Sequence, residues 1–197
     1  SWEAVFGPMA EEVFTAYYTA SYVNAVAAAG KEQYPLPFTV NCWLDKGQAP
    51  GKYPSGGPVE KVMAVWHCAA PAIDAIAPDI YIPAFCDVCD SYHKHGNPLF
   101  IAECATHAYA AVRELYAVGH HHAVCYSPFG FEEMGEPFTA VQGVLFGMDT
   151  GDEALKTPQD PQEYATVNAL LQQLMPQLCR AYGTKNLQAV ISERPAE

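Results

Sequence analysis

The sequence predicts an α/β protein whose strands pair in parallel. Three observations support this prediction: short apolar runs alternate with longer stretches of helical periodicity, the apolar runs are uninterrupted, and turn residues separate the two kinds of segment. Uninterrupted apolar strands are typical of parallel sheets, because both faces of such a sheet are covered. Four βα units are present, so the chain is either a small open sheet or half of a (β/α)8 barrel, which typically has about 250 residues.

The elements of the first part of the chain follow from periodicity and turn residues. A helix is predicted over Met9–Ala29, where apolar residues recur every three or four positions, with Pro8 in its first turn and Gly30 at its end. The apolar run Leu36–Trp43 is too short for a helix and rich in strand-forming residues, so it predicts the first strand. Glycine and proline concentrate in 45–57, which predicts a loop.

The same reasoning assigns the rest of the chain, since proline or glycine delimits most helices and the strands are continuous apolar runs. The further elements are, in order, a helix from Pro58 to Pro71, a strand Ile73–Tyr81, a helix Pro83–His95, a strand Pro98–Cys104, a helix Thr106–Val118, a strand Ala123–Phe129, a candidate short helix Phe138–Leu145, a helix Asp160–Gly183 and a candidate last strand Leu187–Ser192. Pro176 is predicted to kink or divide the last helix.

Composition limits the classes of partner. Half of the 197 residues are hydrophobic, which is enough for a buried core and argues against a disordered chain. The formal net charge of −12 repels phosphate backbones, so we expect no nucleic-acid partner and favour a neutral or cationic ligand. We expect no membrane partner either, because no apolar run reaches the roughly 20 residues that span a bilayer and no signal peptide is visible.

Cysteine and histidine patterns predict no disulfide framework, cofactor or metal. The seven cysteines lack regular spacing, which favours a reducing compartment such as the cytoplasm, while a periplasmic or secreted parent protein stays open. Cys86 and Cys89 form a C-x-x-C pair, but zinc needs two more ligands at matching spacing, so we favour half-buried helix cysteines. His120, His121 and His122 are interpreted as a solvated turn, with adventitious nickel or zinc binding as the alternative.

Polar and aromatic residues end the first four predicted strands. In α/β barrels the reacting groups lie at the C-terminal ends of the strands, so these residues are candidates for chemistry. Glu103 is the foremost candidate, because a carboxylate after the apolar run 98–102 costs several kcal/mol if it is buried without a partner. A structural ion pair or a solvent-facing position would also explain a glutamate at this strand end. The strand ends are Asn41-Cys42-Trp43, Asp79-Ile80-Tyr81, Glu103-Cys104 and Tyr126-Ser127-Pro128-Phe129.

Five stretches of the chain also point to a family. They are Glu12–Tyr34 (EVFTAYYTASYVNAVAAAGKEQY), Pro35–Gly57 (PLPFTVNCWLDKGQAPGKYPSGG), Ala77–Tyr81 (APDIY), Asn97–Glu103 (NPLFIAE) and Tyr126–Phe131 (YSPFGF). Together they resemble the barrel of β-galactosidase-type enzymes of glycoside hydrolase families 35 and 42, and in particular bacterial family 35-like proteins. The PLPFTVN-W-D…YPSGG stretch is the most distinctive, and the resemblance extends to about Gly183.

The resemblance implies a retaining glycosidase that acts on terminal β-galactosides or related oligosaccharides with two glutamates. Glu103 matches the nucleophile, which ends the seventh strand of such barrels. Tyr81 would end the sixth strand and hydrogen-bond this carboxylate; a packed rim tyrosine is the alternative. Asn41 would donate a hydrogen bond to the sugar and Trp43 would stack on it, unless Trp43 is a core residue. Further sugar contacts are expected from Asp79, Tyr126 and Glu132, with a structural role as the alternative for Asp79.

In such enzymes the general acid/base ends the fourth strand, and no strand before Pro35 supplies it. The resemblance thus implies that residues 1–186 are the C-terminal half of a catalytic TIM (β/α)8 barrel, about strands five to eight, and that 187–197 are a tail or the start of a β segment. We expect this half to be inactive alone, and to form a homo-oligomer or bind the N-terminal half through its open edges. The alternative is a non-catalytic carbohydrate-binding or interaction module.

Overall fold

The computed structural model describes residues 1–106, 109–149, 151, 153–156 and 158–192. The strands among these residues are β1 Thr39–Cys42, β2 Ala75–Ile80, β3 Phe100–Cys104 and β4 Cys125–Pro128. They form one sheet in the order β1-β2-β3-β4, with all strands parallel. Helices alternate with the strands along the chain, which confirms the predicted α/β class with parallel pairing.

The helices have bounds close to those expected from periodicity. They are α1 Trp2–Phe6, α2 Ala10–Gln33, α3 Met63–Ala69, α4 Phe85–Tyr92, α5 Ala110–His121, α6 Ala140–Leu145 and α7 Gln162–Ala181. None of these helices has both the length and the apolar character needed to cross a bilayer. α1 is not predicted from the sequence, because five residues are too few to show a period.

The chain divides into two compact units. The first comprises residues 1–79 and 91–100, and the second comprises 80–90 together with the described residues from 101 onward. In the first unit, β1 pairs with β2 so that Asn41 lies opposite Ala77. The core of this unit includes Trp66 of α3, whose indole Nε1 donates to the carbonyl of Gly56 at 3.0 Å.

The second unit has its own apolar cluster. Ala110 and Ala111 of α5 pack with Tyr164 and Val167 of α7, and all four side chains are buried. The start of α7 is held by the Asp160 carboxylate, which accepts a hydrogen bond from the backbone N–H of Gln162 at 2.9 Å. Pro161 directly precedes α7 as its N-cap, so Asp160, the predicted first residue of this helix, lies one position before the cap.

Gly30 does not end the first long helix, contrary to the prediction. α2 continues to Gln33, and the backbone N–H of Tyr34 donates to the Gly30 carbonyl at 2.9 Å. A Cβ at position 30 would lie 2.9 Å from the Phe38 ring. Glycine is therefore suited to this position by the close approach of a distant side chain and not by helix termination.

The histidine triplet does not form a solvated turn. His120 and His121 lie in the last turn of α5, and His121 is only 4% exposed. Tyr109 has a left-handed backbone conformation with φ of 59°, so the helix begins at Ala110 and not at Thr106. Residues 107 and 108, which belong to the predicted start of this helix, lie outside the described residues.

The predicted last strand is wrong, and the predicted effect of Pro176 is wrong in part. Pro176 does not divide α7, which runs unbroken from Gln162 to Ala181, while a kink at this residue stays a prediction. Leu187–Ser192 forms no strand in the described structure. Backbone carbonyls of this segment instead contact histidine side chains: Ala189 O lies 3.1 Å from Nδ1 of His120, and Leu187 O lies 3.3 Å from Nε2 of His122. Residues 193–197 of the predicted tail lie outside the described residues.

Candidate active site

Tyr81 and Glu103 meet in the second unit. Tyr81 directly follows β2, and Glu103 is the next-to-last residue of β3. The Tyr81 hydroxyl donates to Oε2 of Glu103 at 2.7 Å, and both residues are half-buried. The hydrogen bond expected between these side chains is thus present. A phenol that donates to a carboxylate makes a strong, charge-assisted bond, which orients the carboxylate at the strand end.

Two aromatic rings hold Tyr81 in place. The Phe146 ring stacks on it with centroids 5.8 Å apart and planes 26° apart, and the Phe129 ring meets it edge-on at 6.2 Å. Phe146 is 6% exposed and makes a further edge contact with Phe138 at 5.5 Å. Because packed aromatic rings have few alternative rotamers, these contacts aim the Tyr81 hydroxyl at Glu103.

The segment from Gly130 to α6 positions Phe146. Thr139 caps α6 in a capping box with Gln142, whose side chain is fully buried. Gly130 has φ of +71°, and a Cβ there would lie 2.4 Å from Nε2 of Gln142. The left-handed backbone favours glycine at this position, and a Cβ would in addition displace the end of the Gln142 side chain. Phe146 itself directly follows α6, so the Gly130–Gln142 contact bears on the ring that stacks on Tyr81.

Asn41 and Asp79 form a second polar pair, in the first unit. The Asn41 amide donates to Oδ1 of Asp79 at 3.0 Å. Trp43, two residues after Asn41, is 41% exposed, with the Lys46 ammonium 5.6 Å from its ring centroid. The exposure excludes the interpretation of Trp43 as a core tryptophan. Trp43 thus has an exposed ring two residues along the chain from Asn41, and an indole ring, an amide and a carboxylate are groups that can bind the apolar and the hydroxyl groups of a sugar.

Tyr126 and Glu132 line a cavity of about 290 Å³ in the second unit. The Tyr126 hydroxyl donates to the Ala110 carbonyl at 2.5 Å, and its ring meets Phe85 edge-on at 6.3 Å. Glu132 is exposed. Neither Glu103 nor Tyr81 lies on the wall of this cavity. The structure therefore groups these two predicted sugar contacts away from the Tyr81–Glu103 pair.

Two further residues near these groups, Phe146 and Glu114, are not predicted as functional. Phe129, by contrast, ends a predicted strand and is among the candidates from the sequence. Phe146 lies in a long loop segment whose contacts cannot be inferred from local pattern. Glu114 lines the same cavity as Tyr126, and burial raises the pKa of its carboxyl above the usual range. Nothing in the sequence distinguishes Glu114 from a surface glutamate on α5.

Three of the cysteines, Cys42, Cys89 and Cys104, are buried packing residues. All seven are free thiols. Burial raises the pKa of Cys42 and Cys104 to about 12 and shifts that of Cys89 upward as well. A thiol needs a low pKa to be a good nucleophile or redox centre, so Cys89 of the C-x-x-C pair is poorly suited to disulfide exchange.

Comparison with known proteins adds no relative. The sequence matches no protein-family model, and no curated protein matches it. The resemblance to β-galactosidase-type enzymes therefore depends on the sequence stretches themselves.

Proposed function

We propose that this chain contributes the nucleophile of a retaining, β-galactosidase-like glycoside hydrolase, as the C-terminal half of its (β/α)8 barrel. The observation that best supports this proposal is the 2.7 Å hydrogen bond from Tyr81 to Glu103 at the ends of adjacent parallel strands. An oriented carboxylate at a strand end is what the first step of a retaining mechanism requires. The quoted family-like stretches are the second support.

In this mechanism the Glu103 carboxylate attacks the anomeric carbon of a terminal β-galactoside. A bond forms between a carboxylate oxygen and that carbon while the bond to the leaving oxygen breaks. A second carboxyl group, about 5–5.5 Å away in retaining enzymes, protonates the leaving oxygen and later activates water. We assign that second glutamate to a strand outside this chain, so the chain alone is expected to turn over stable galactosides at a negligible rate.

An activated substrate tests the proposal on this chain directly. Dinitrophenolate leaves without protonation, so 2,4-dinitrophenyl β-galactoside needs only the nucleophile for the first step. Without a general base, the galactosyl–enzyme ester then hydrolyses slowly and accumulates. The expected result is one galactosyl group per chain by intact mass spectrometry, with peptide mapping to Glu103.

Two variants control this experiment. Glu103→Gln should abolish labelling, whereas Glu133→Gln, which changes an exposed glutamate of the same unit, should label normally. Labelling that persists in Glu103→Gln would refute the assignment of the nucleophile. Normal steady-state turnover of nitrophenyl β-galactoside by the purified chain would contradict the inference that the second glutamate lies outside this chain.

The alternative is sugar binding without chemistry, which the exposed Trp43 and the Asn41–Asp79 pair favour. Galactose titration by isothermal calorimetry separates the two. Binding that disappears in Trp43→Ala, together with an absence of any covalent adduct on Glu103, would support the binding module and reject the hydrolase.

A further inference from the structure

Three potential metal ligands meet in the second unit, on α4 and α5. The ligand atoms of Asp90, His120 and His121 all lie within 4.8 Å of one another, and Nε2 of His121 is 3.4 Å from Oδ1 of Asp90. Tetrahedral zinc with bonds of about 2.0–2.1 Å separates neighbouring ligand atoms by about 3.4 Å. The Asp90–His121 pair already has this spacing, and Asp90 is an exposed side chain that can turn towards His120.

The hydrogen bonding of His120 suits coordination. Its Nδ1 lies 3.1 Å from the carbonyl oxygen of Ala189. A carbonyl can only accept, so Nδ1 bears the hydrogen, and in the neutral ring Nε2 keeps its lone pair. Metal-binding histidines commonly donate their other ring N–H to a carbonyl in this way. The Tyr116 ring also stacks on His120 at 5.0 Å with planes 9° apart, which fixes the plane of the imidazole.

The electrostatic environment favours a cation. His120 and His121 lie in the last turn of α5, where the unpaired carbonyl groups of a helix carry partial negative charge. Asp90 adds a carboxylate from α4. The chain as a whole has a formal net charge of −12. A divalent ion at this point would offset negative charge from all three sources.

We propose that Asp90, His120 and His121 bind zinc or a similar divalent transition metal, with a fourth position open to water. Two imidazole nitrogens and one carboxylate suit zinc, whereas magnesium and calcium require oxygen ligands. The ion would link α4 to α5 and, through His120, to the carbonyl of Ala189. This site is independent of the proposed glycosidase function, since it uses none of the residues assigned to the sugar.

The test is a titration of the full chain with zinc chloride by isothermal calorimetry. Cys68 and Cys179 are exposed thiols that could bind zinc themselves, so the protein should carry Cys68→Ser and Cys179→Ser. We expect one zinc per chain, a Tm that rises with zinc concentration, and no response to magnesium chloride. Cobalt chloride should give the visible absorption of a four-coordinate nitrogen and oxygen site. The absence of both zinc binding and cobalt absorption in this protein would overturn the proposal.

Variants locate the site. Asp90→Asn and His120→Asn change exposed ligands, so the fold should be kept, and each should weaken zinc binding by at least about tenfold. The matched control is His95→Asn, an exposed histidine of the first unit whose φ of 54° asparagine tolerates; it should bind zinc normally. Unchanged affinity in both Asp90→Asn and His120→Asn would show that zinc binds elsewhere and refute the site.

Discussion

The contribution of the Tyr81 hydroxyl to the reactivity of Glu103 can be measured separately from that of the ring. Tyr81→Phe keeps the ring that stacks on Phe146 and removes only the donor to Glu103. A hydrogen bond to a charged group contributes about 1.5–3 kcal/mol, so the rate of galactosyl labelling at Glu103 should fall about 10- to 100-fold. Stopped-flow detection of dinitrophenolate measures this rate, with Tyr18→Phe, an exposed tyrosine of α2, as the control. Equal rates in both variants would remove Tyr81 from the mechanism.

Glu114 gives a pH-dependent prediction. Burial raises the pKa of its carboxyl in the folded state. Its contribution to stability is therefore greatest below the unfolded pKa of about 4.3 and is lost as the pH rises through the folded-state pKa. Glu114→Gln should raise Tm by roughly 1–4 °C at pH 7 and leave it unchanged near pH 4, measured by scanning calorimetry. A lower Tm at pH 7, relative to an exposed Glu133→Gln control, would contradict this sign.

The orientation of the Tyr81 ring depends on the segment from Gly130 to α6, because Phe146 directly after α6 stacks on that ring. Gly130→Ala places a Cβ on a left-handed backbone, 2.4 Å from the Gln142 side chain. The substitution should lower the free energy of unfolding by about 2–4 kcal/mol. We expect Tm to fall by roughly 5–15 °C and labelling of Glu103 to slow, because Phe146 loses its position.

Gly147→Ala is the matched control for this element. Gly147 also has a positive φ, of +69°, but a Cβ there meets nothing within 4 Å. Gly147→Ala should therefore lower the free energy of unfolding only through the left-handed backbone conformation, by about 1–2 kcal/mol. A larger loss of Tm in Gly147→Ala than in Gly130→Ala would show that the contact with Gln142 is unimportant.

The exposed apolar surface of α2 predicts self-association of the chain. Phe14, Tyr18 and Tyr22 of α2 are 45%, 55% and 72% exposed, and the Phe14 and Tyr18 rings contact each other at 4.6 Å. Exposed apolar patches and open sheet edges both favour association. We expect a homo-oligomer by multi-angle light scattering, shifted towards monomer by Tyr18→Lys with Tyr22→Lys.

The control for this shift is Gln172→Lys with Gln173→Lys, which adds the same number of lysines to exposed positions of α7. It should leave the mass distribution unchanged. A wild-type protein that is monomeric at all concentrations would contradict the expected association.

The sequence alone was sufficient for the order of the four strands and of the helices that alternate with them, the parallel pairing and the position of Glu103 at a strand end. These features depend on local apolar patterns, which repeat along the chain and can be recognised without knowing what packs where. The tertiary structure decided the rest. Gly30 is explained by the Phe38 ring, His121 by burial in the last turn of α5, and the orientation of Tyr81 by Phe146 from a loop 65 residues further along the chain. Such contacts join residues from different elements of the fold, so the periodicity within one element does not encode them.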